Sequence, residues 1–448
     1  MLKEAWTLAI EALSWMEMQK LSERHALAKT AKQLDISEAN AIRLAHMLVY
    51  ETIRRQNFID AFIDNVLEPK TLSEFSLGVQ AFLRLYVYQT RIARNWSKID
   101  IEEAENIAKL ARAILGWETL QKVETVLGVL LIQKPTEIFA GVSDEERIGL
   151  LTFHPSWFVK YCFKLFGRSE AIAMLEANTQ PLPTYITLNT LKTSDDEIVE
   201  KLTEEGVRVE KVEQLRHLYK VVSVEKSLTQ TKSFQKGLFS IQDKSNCQLI
   251  EVANPKPGAT VLDICAARGA KTTCLAQLMQ NRGIIYAIDY SRNKMTTWKT
   301  EVTRTGVKIA EPILADACKP LPITIEADIV VLNPPCTNTG LFGAMPSAKW
   351  KLSSRYIDRM SVIQWQMLNG AAESTQSKGT LIYSTASVMV EENEVLIEKF
   401  LKWHPEFSLA EATPKIGSPG LRGLEKCQRL YPHIHQCNGF FIAKMLKE

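Results

Sequence analysis

The apolar run Ile329-Val330-Val331-Leu332 ends in Asn333-Pro334-Pro335-Cys336. An amide and two prolines make a stiff turn with outward carbonyls, and a thiol closes it. A side-chain amide oxygen next to a proline carbonyl can accept both N–H bonds of an amino group, which aims the nitrogen lone pair at an electrophile. The thiol of Cys336 could instead add to an electron-poor ring as a nucleophile. The chemically empty alternative is a turn that only ends a strand, since Asn-Pro favours turns.

Four strand-like runs, 260–263, 284–289, 329–332 and 380–383, alternate with helical segments. That spacing predicts βαβ units and a doubly wound parallel sheet, in which ligands bind beyond the carboxyl ends of the strands. Asp263, Asp289, Asp316 and Asn333 all fall there. After the first run comes Cys265-Ala266-Ala267-Arg268-Gly269-Ala270-Lys271, then a helix opening at Thr272. Its small residues let a ligand approach the backbone, and the helix start offers free N–H groups. The spacing fits neither a P-loop nor the G-x-G-x-x-G fingerprint. Asp289 stands where an acid would accept ribose hydroxyls, and Asp316 where one would receive an adenine amino group. Each acid alone could be a helix cap. Three at successive strand ends favour a nucleoside cofactor.

The 448 residues suit two or three domains. Residues 1–142 read as helices, with Leu2, Ala5, Trp6, Ala9, Leu13 and Met16 on one stripe. Residues 143–236 mix helices and short strands in a small α+β module, and 237–448 carry the α/β pattern. Apolar residues make up 46% and charged residues 23%, the balance of a globular chain, and a formal charge of +3 leaves any nucleic-acid surface local. Eight scattered cysteines form no C-x-x-C pair, which points to a reduced cytoplasmic protein with no metal site. The N-terminus has no signal-peptide core, and no apolar run approaches the roughly 18 residues of a membrane span.

The catalytic half resembles the RsmB/Sun (Fmu) family of S-adenosylmethionine-dependent RNA cytosine methyltransferases. The resemblance lies in Gln242-Asp243, the stretch from Asp263 to Thr273, Pro335-Cys336, Lys349-Trp350, Gln364 and Tyr383-Ser384-Thr385. It continues in Glu392-Asn393-Glu394, Pro432-His433 and Gly439-Phe440-Phe441. Upstream, His154-Pro155-Ser156-Trp157 and Leu188-Asn189-Thr190-Leu191-Lys192-Thr193 match its linker module, and Arg55-Gln56-Asn57-Phe58-Ile59-Asp60 its NusB-like helical domain. The resemblance implies a Rossmann-like class I methyltransferase domain after an all-α NusB-like RNA-binding domain and an α+β linker. It implies S-adenosyl-L-methionine held by Cys265, Ala266, Ala267, Gly269, Lys271, Asp289, Asp316 and Asn333, with Lys271 at the boundary between cofactor and substrate. The expected partner is RNA, ribosomal or within an assembling subunit, met by a monomer.

The chain departs from the family at Arg268, where the family carries proline, at Ala270, where it carries glycine, at Thr187, where it carries arginine, and at two positions that bear on the chemistry. The family's nucleophilic cysteine, in S-T-C-S, is Ala386 here, and a methyl side chain cannot add to a ring carbon. The acid of D-A-P-C is Asn333, while Cys336 keeps the second cysteine. Three readings follow. In the first, Asn333 and the Pro334 carbonyl orient the exocyclic amine of cytosine for methylation without a covalent adduct, and Cys336 takes the place of the aromatic that follows Asn-Pro-Pro in amino methyltransferases. In the second, Cys336 is the nucleophile of a carbon-5 enzyme. In the third, the chain is a degenerate RNA-binding assembly factor. Methylation of a protein amide through the same turn is disfavoured by the RNA-binding modules.

Overall fold

The computed structural model describes residues 1–96, 98–322, 324 and 326–448. The chain forms two compact units, Met1–Gln180 with Met345–Lys351, and Pro181–Ala344 with Leu352–Glu448.

The first unit is helical. It contains α1 (Leu2–Gln19), α2 (Glu23–Gln33), α3 (Ala39–Arg54), α4 (Gln56–Leu67), α5 (Leu77–Val87), α6 (Ile101–Leu115), α7 (Trp117–Leu120) and α8 (Glu124–Ile132). It continues with α9 (Asp144–Thr152), α10 (Ser156–Phe166) and α11 (Arg168–Ala177). The predicted stripe of α1 is buried from Ala5 to Met16, with Leu2 at the helix start exposed, and with Leu48, Phe62, Phe82 and Tyr86 it forms one apolar core. Ser143 caps α9 by accepting the Glu146 N–H. The α+β segment expected over 143–236 is divided: its helices up to Ala177 lie in this unit, and its strands in the other.

In the second unit, β1 (Tyr185–Leu188), β2 (Val207–Lys211), β3 (Leu218–Val224) and β4 (Phe239–Ile241) form an antiparallel sheet in the order β2-β3-β1-β4. Helices α12 (Asp195–Glu204) and α13 (Lys232–Gln235) accompany it, and α14 (Lys244–Ala253) leads to the larger sheet. There β5 (Thr260–Ile264), α15 (Ala270–Leu278), β6 (Ile284–Asp289), α16 (Arg292–Thr305), β7 (Ala310–Leu314) and β8 (Ala327–Leu332) follow in sequence. Short helix α17 (Ala348–Lys351) lies in the segment that belongs to the helical unit. The chain ends with α18 (Ser354–Glu373), β9 (Thr375–Thr385), α19 (Glu394–Trp403), β10 (Phe407–Ala410), β11 (Ser418–Pro419), β12 (Gln428–Leu430), α20 (Pro432–His435) and β13 (Phe440–Lys447).

The central strands β7-β6-β5-β8-β9 are parallel, as the spacing predicts. The sheet is nonetheless mixed, because β13 pairs antiparallel with β9, and β12 and β10 pair antiparallel with β13. Of the parallel strands, β5, β6 and β8 are apolar almost throughout because both faces are covered, whereas β7 at the edge is largely exposed and carries Glu311 and Pro312. Leu262, Val330 and Leu381 pack towards α18 and α19, and their neighbours Val261, Val331 and Ile382 towards α14 and α15. Strand order reverses between β5 and β8, so the crevice expected to bind ligand opens at their carboxyl ends.

Candidate active site

From the end of β5 the chain turns through Cys265–Gly269 and enters α15. Cys265 and Gly269 both have positive φ, 62° and 103°. A Cβ at Gly269 would stand 3.2 Å from Glu301 Cβ and 3.3 Å from the Trp298 carbonyl, so the turn needs a glycine there. Lys271 is buried, and its Nζ donates to the Cys265 carbonyl at 2.9 Å, fastening the turn from inside. Arg268, where the family carries proline, is exposed.

Asp263 is wholly buried. Its Oδ2 accepts the Thr272 hydroxyl at 2.7 Å, and that hydroxyl oxygen accepts the Trp298 indole N–H at 2.9 Å. Burial raises its pKa above the usual carboxylate range, with Lys271 and Thr272 opposing. Its Oδ1 has no hydrogen-bond partner among the described residues. A buried acceptor without a donor is costly and marks a place where a ligand could supply one. Asp289 ends β6, buried, with Oδ1 accepting the Ser291 N–H at 2.9 Å. Asp316 lies two residues beyond β7, exposed, with Oδ1 accepting the Cys318 N–H at 3.0 Å. The unfilled Asp263 acceptor, the small-residue turn, the α15 N-terminus and Asp289 fit a nucleoside cofactor. Asp263 was legible as a strand-end acid, but its missing donor was not.

Asn333 stands across the switch point, its N–H donating to the Ile264 carbonyl at 3.3 Å. Its Nδ2 donates to the Ser384 carbonyl and to Ser384 Oγ, both at 3.0 Å. Both donors of the amide are thereby used, and Oδ1 takes no hydrogen bond from the described residues. The Pro334 carbonyl likewise has no protein donor among them, whereas the Pro335 carbonyl accepts Gln364 Nε2 at 3.0 Å. A cavity of about 380 Å³ is lined by Asn333, Pro334, Cys336, Tyr356, Ala386 and Lys294, among others. The turn after β8 and the departure at Ala386 therefore share one cavity. Cys336 is 5% exposed. Burial, with the Glu392 carboxylate adding to it, pushes its thiol pKa up to about 12. His435, in α20 near the C-terminus, accepts the Tyr431 N–H at 2.8 Å through Nδ1, a structural bond.

A sheet with a parallel centre, a glycine-dependent turn at its switch point, acids at the ends of β5 and β6 and an amide-lined cavity across the crevice defines a Rossmann-like methyltransferase. Residues 250–446 match the family described as 16S rRNA methyltransferase RsmB/F, 154–223 the RsmF/B-like ferredoxin-like domain, and 3–114 the NusB family. The probable ribosomal RNA small subunit methyltransferase B of Bacillus subtilis is 28% identical over 453 residues, covering 98% of each chain. A tRNA (cytosine(72)-C(5))-methyltransferase of Pyrococcus horikoshii is 36% identical over 221 residues, 49% of this chain and 55% of that one. The crystal structure of PH0851 matches with a TM-score of 0.81 at 30% identity, covering 100% of this chain and 99% of that one. The chain belongs to the RsmB/F family of RNA methyltransferases, enzymes that use S-adenosyl-L-methionine.

Proposed function

We propose that this chain methylates the exocyclic amino nitrogen of a cytosine in RNA, most plainly ribosomal RNA. The observation that carries the reading is the anchored Asn333 amide. With Nδ2 committed to Ser384, its Oδ1 is the acceptor left over, next to the equally unpaired Pro334 carbonyl. The pair can accept both N–H bonds of the cytosine amine. Those bonds hold the nitrogen lone pair towards the crevice, and the acceptor nitrogen, once it has bonded to the methyl carbon, sheds its extra proton to solvent. No covalent adduct is required, which suits a cavity with a methyl group at Ala386.

Bound S-adenosyl-L-methionine supplies an electrophilic methyl group. The residues that would hold it are the backbone of Cys265, Ala266, Ala267 and Gly269, with Asp263, Asp289 and Asp316. Lys271 would keep their turn in place rather than touch the base. The relatives' names favour the second reading, in which Cys336 adds to carbon-6 and methylation falls on carbon-5. A thiol held protonated by burial argues against it. The assembly-factor reading has no structural observation in its favour.

The helical 1–142 region and the 143–236 module would bind RNA and present a looped or unstacked cytosine to the 237–448 domain, since the base must leave its stack. A cytoplasmic monomer suffices for this. Among the described residues no helix is long and apolar enough to cross a membrane.

The deciding experiment incubates the protein with methyl-labelled S-adenosylmethionine and ribosomal RNA from cells lacking the gene, then separates the nucleosides. Label is expected in N4-methylated cytidine. Label in 5-methylcytidine alone would overturn the reading.

A further inference from the structure

Glu392 lies in the turn before α19, and its side chain is completely buried. Oε1 accepts the Thr337 N–H at 2.9 Å and Gln364 Nε2 at 2.8 Å. Oε2 accepts the hydroxyls of Thr337 and Ser387. One carboxylate thus gathers four donors from three elements: the turn after β8, the turn after β9, and α18. No cation pairs with it among the described residues. Burial accordingly raises its pKa against the pull of those four donors.

Thr337 directly follows Cys336, Ser387 directly follows Ala386, and Gln364 reaches from Glu392 to the Pro335 carbonyl at 3.0 Å. The groups Glu392 holds are therefore the chain neighbours of the cavity wall on both sides. The turns are also bonded to each other: with the Ser387 hydroxyl hydrogen given to Glu392, the Thr339 hydroxyl donates to Ser387 Oγ at 3.0 Å. Behind them the Tyr383 hydroxyl donates to the Glu392 carbonyl at 2.7 Å, and Asn393 Nδ2 to the Ser387 carbonyl at 2.8 Å. Only an ionised carboxylate offers enough lone pairs for four donors. An uncompensated buried charge is an expensive way to join two turns that apolar packing could join, and such groups concentrate at functional sites.

We propose that Glu392 is the positioning residue of the methyl-acceptor cavity, tying Pro335–Thr337 to Ala386–Ser387 so that the cavity keeps the width at which a base meets Asn333 and Pro334. This rests on the cavity being the base site, but not on which base atom is methylated. Without the clamp the turns separate by small amounts, the base still binds, and fewer encounters reach transfer geometry. A misplacement of about 1 Å can lower a rate by roughly 10²-fold.

The test measures total label transfer to the same gene-deleted ribosomal RNA, with S-adenosylhomocysteine binding and thermal unfolding run alongside. For Glu392→Gln, kcat is expected to fall about 10- to 100-fold, with KM for RNA within about threefold and S-adenosylhomocysteine affinity within about twofold of the parent. Wild-type kcat, or a loss of cofactor affinity that matches the loss of rate, would overturn the proposal. If Glu392→Gln does not fold, Thr337→Val with Ser387→Ala removes two of the donors and leaves the carboxylate in place. That double variant is expected to lose about tenfold in kcat with cofactor affinity intact, and full activity overturns the clamp. Product identity is read separately on the parent protein. A 5-methylcytidine product there removes the amino-acceptor reading and leaves the Glu392 result to stand on its own rates.

Discussion

A thiol is a nucleophile as its thiolate, and Cys336 is kept from that state by its surroundings. Burial pushes its pKa up to about 12, so the thiol form dominates at neutral pH. The sign is that of a buried acid: the neutral form is favoured throughout the physiological range. Asn333 by contrast offers an oxygen whose orientation is set by two hydrogen bonds to Ser384. Cys336→Ser is therefore expected to keep label transfer within about threefold of the parent. Asn333→Ala is expected to lose roughly 10²-fold, the scale of removing one hydrogen-bonding group that acts in the transition state. Initial rates on the same RNA check both, and an inactive Cys336→Ser beside an active Asn333→Ala would reverse the assignment. Asn333 and Cys336 were legible because each is a residue type with its own chemistry, whereas Ala386 was visible only through the family resemblance, which places a cysteine there. The role of Ser384 was not, because it depends on the parallel register of β8 and β9 across 51 residues of chain. Gln364 and Glu392 were visible only as points of resemblance, since nothing local in the sequence announces a shared carboxylate.

Four of the five parallel strands were readable for a physical reason: each is an apolar run ending in a polar turn, a pattern short enough to see locally, whereas β7, Ala310-Glu311-Pro312-Ile313-Leu314 on a largely exposed edge, shows no such run. The antiparallel flank was not readable either. Strand β13 finds its place only by pairing with β9, and β11 and β12 are too short to show alternation. Helix α17 is a further case, since Lys349 was noticed only as half of a Lys-Trp pair. In the structure Lys349 is 1% exposed, with Nζ donating to the carbonyls of Arg54, at the end of α3, and Phe153, after α9, at 2.8 and 2.7 Å. Helix C-termini leave such carbonyls in need of donors. Burial pulls the Lys349 pKa well below its ordinary 10.5, and Arg54 and Arg55 pull the same way. A neutral amine still has two N–H bonds, one for each carbonyl. Between the lowered folded value and 10.5 the unfolded chain binds more protons than the folded one, so stability rises with pH across that window. The melting temperature of the full chain is expected to rise between neutral and mildly alkaline pH by more in the parent than in Lys349→Met. That variant, which leaves two carbonyls unpaired, is also expected to be about 1–3 kcal/mol less stable. Parallel melting-versus-pH curves for the two proteins would refute the account.

Composition cannot show that a helical unit built from the first 180 residues takes in seven more from a position more than 160 residues further along, yet Met345–Lys351 belongs to it. What that segment supplies is polar as much as apolar. The Ser347 N–H and hydroxyl donate to the carboxylate of buried Glu23 at 2.7 and 2.8 Å, and Trp350 Nε1 donates to the Ile53 carbonyl at 2.8 Å. With the two bonds of Lys349, these fill acceptors on α2, α3 and the turn after α9. A fragment of residues 1–180 keeps the apolar core but opens those acceptors to water. Water replaces part of what is lost, so only the net worth of each bond counts, near 1 kcal/mol; the packing of Trp350 on the core adds to these gains, and the entropy of ordering seven residues opposes them. Joining 345–351 to the fragment through a flexible linker is expected to raise its melting temperature, with a matching shift in urea midpoint. A linked segment carrying Ser347→Ala, Lys349→Met and Trp350→Phe should recover little of the gain. If the linked and bare fragments unfold at the same midpoint, the segment is a passenger on the helical unit and its hydrogen bonds contribute nothing to it.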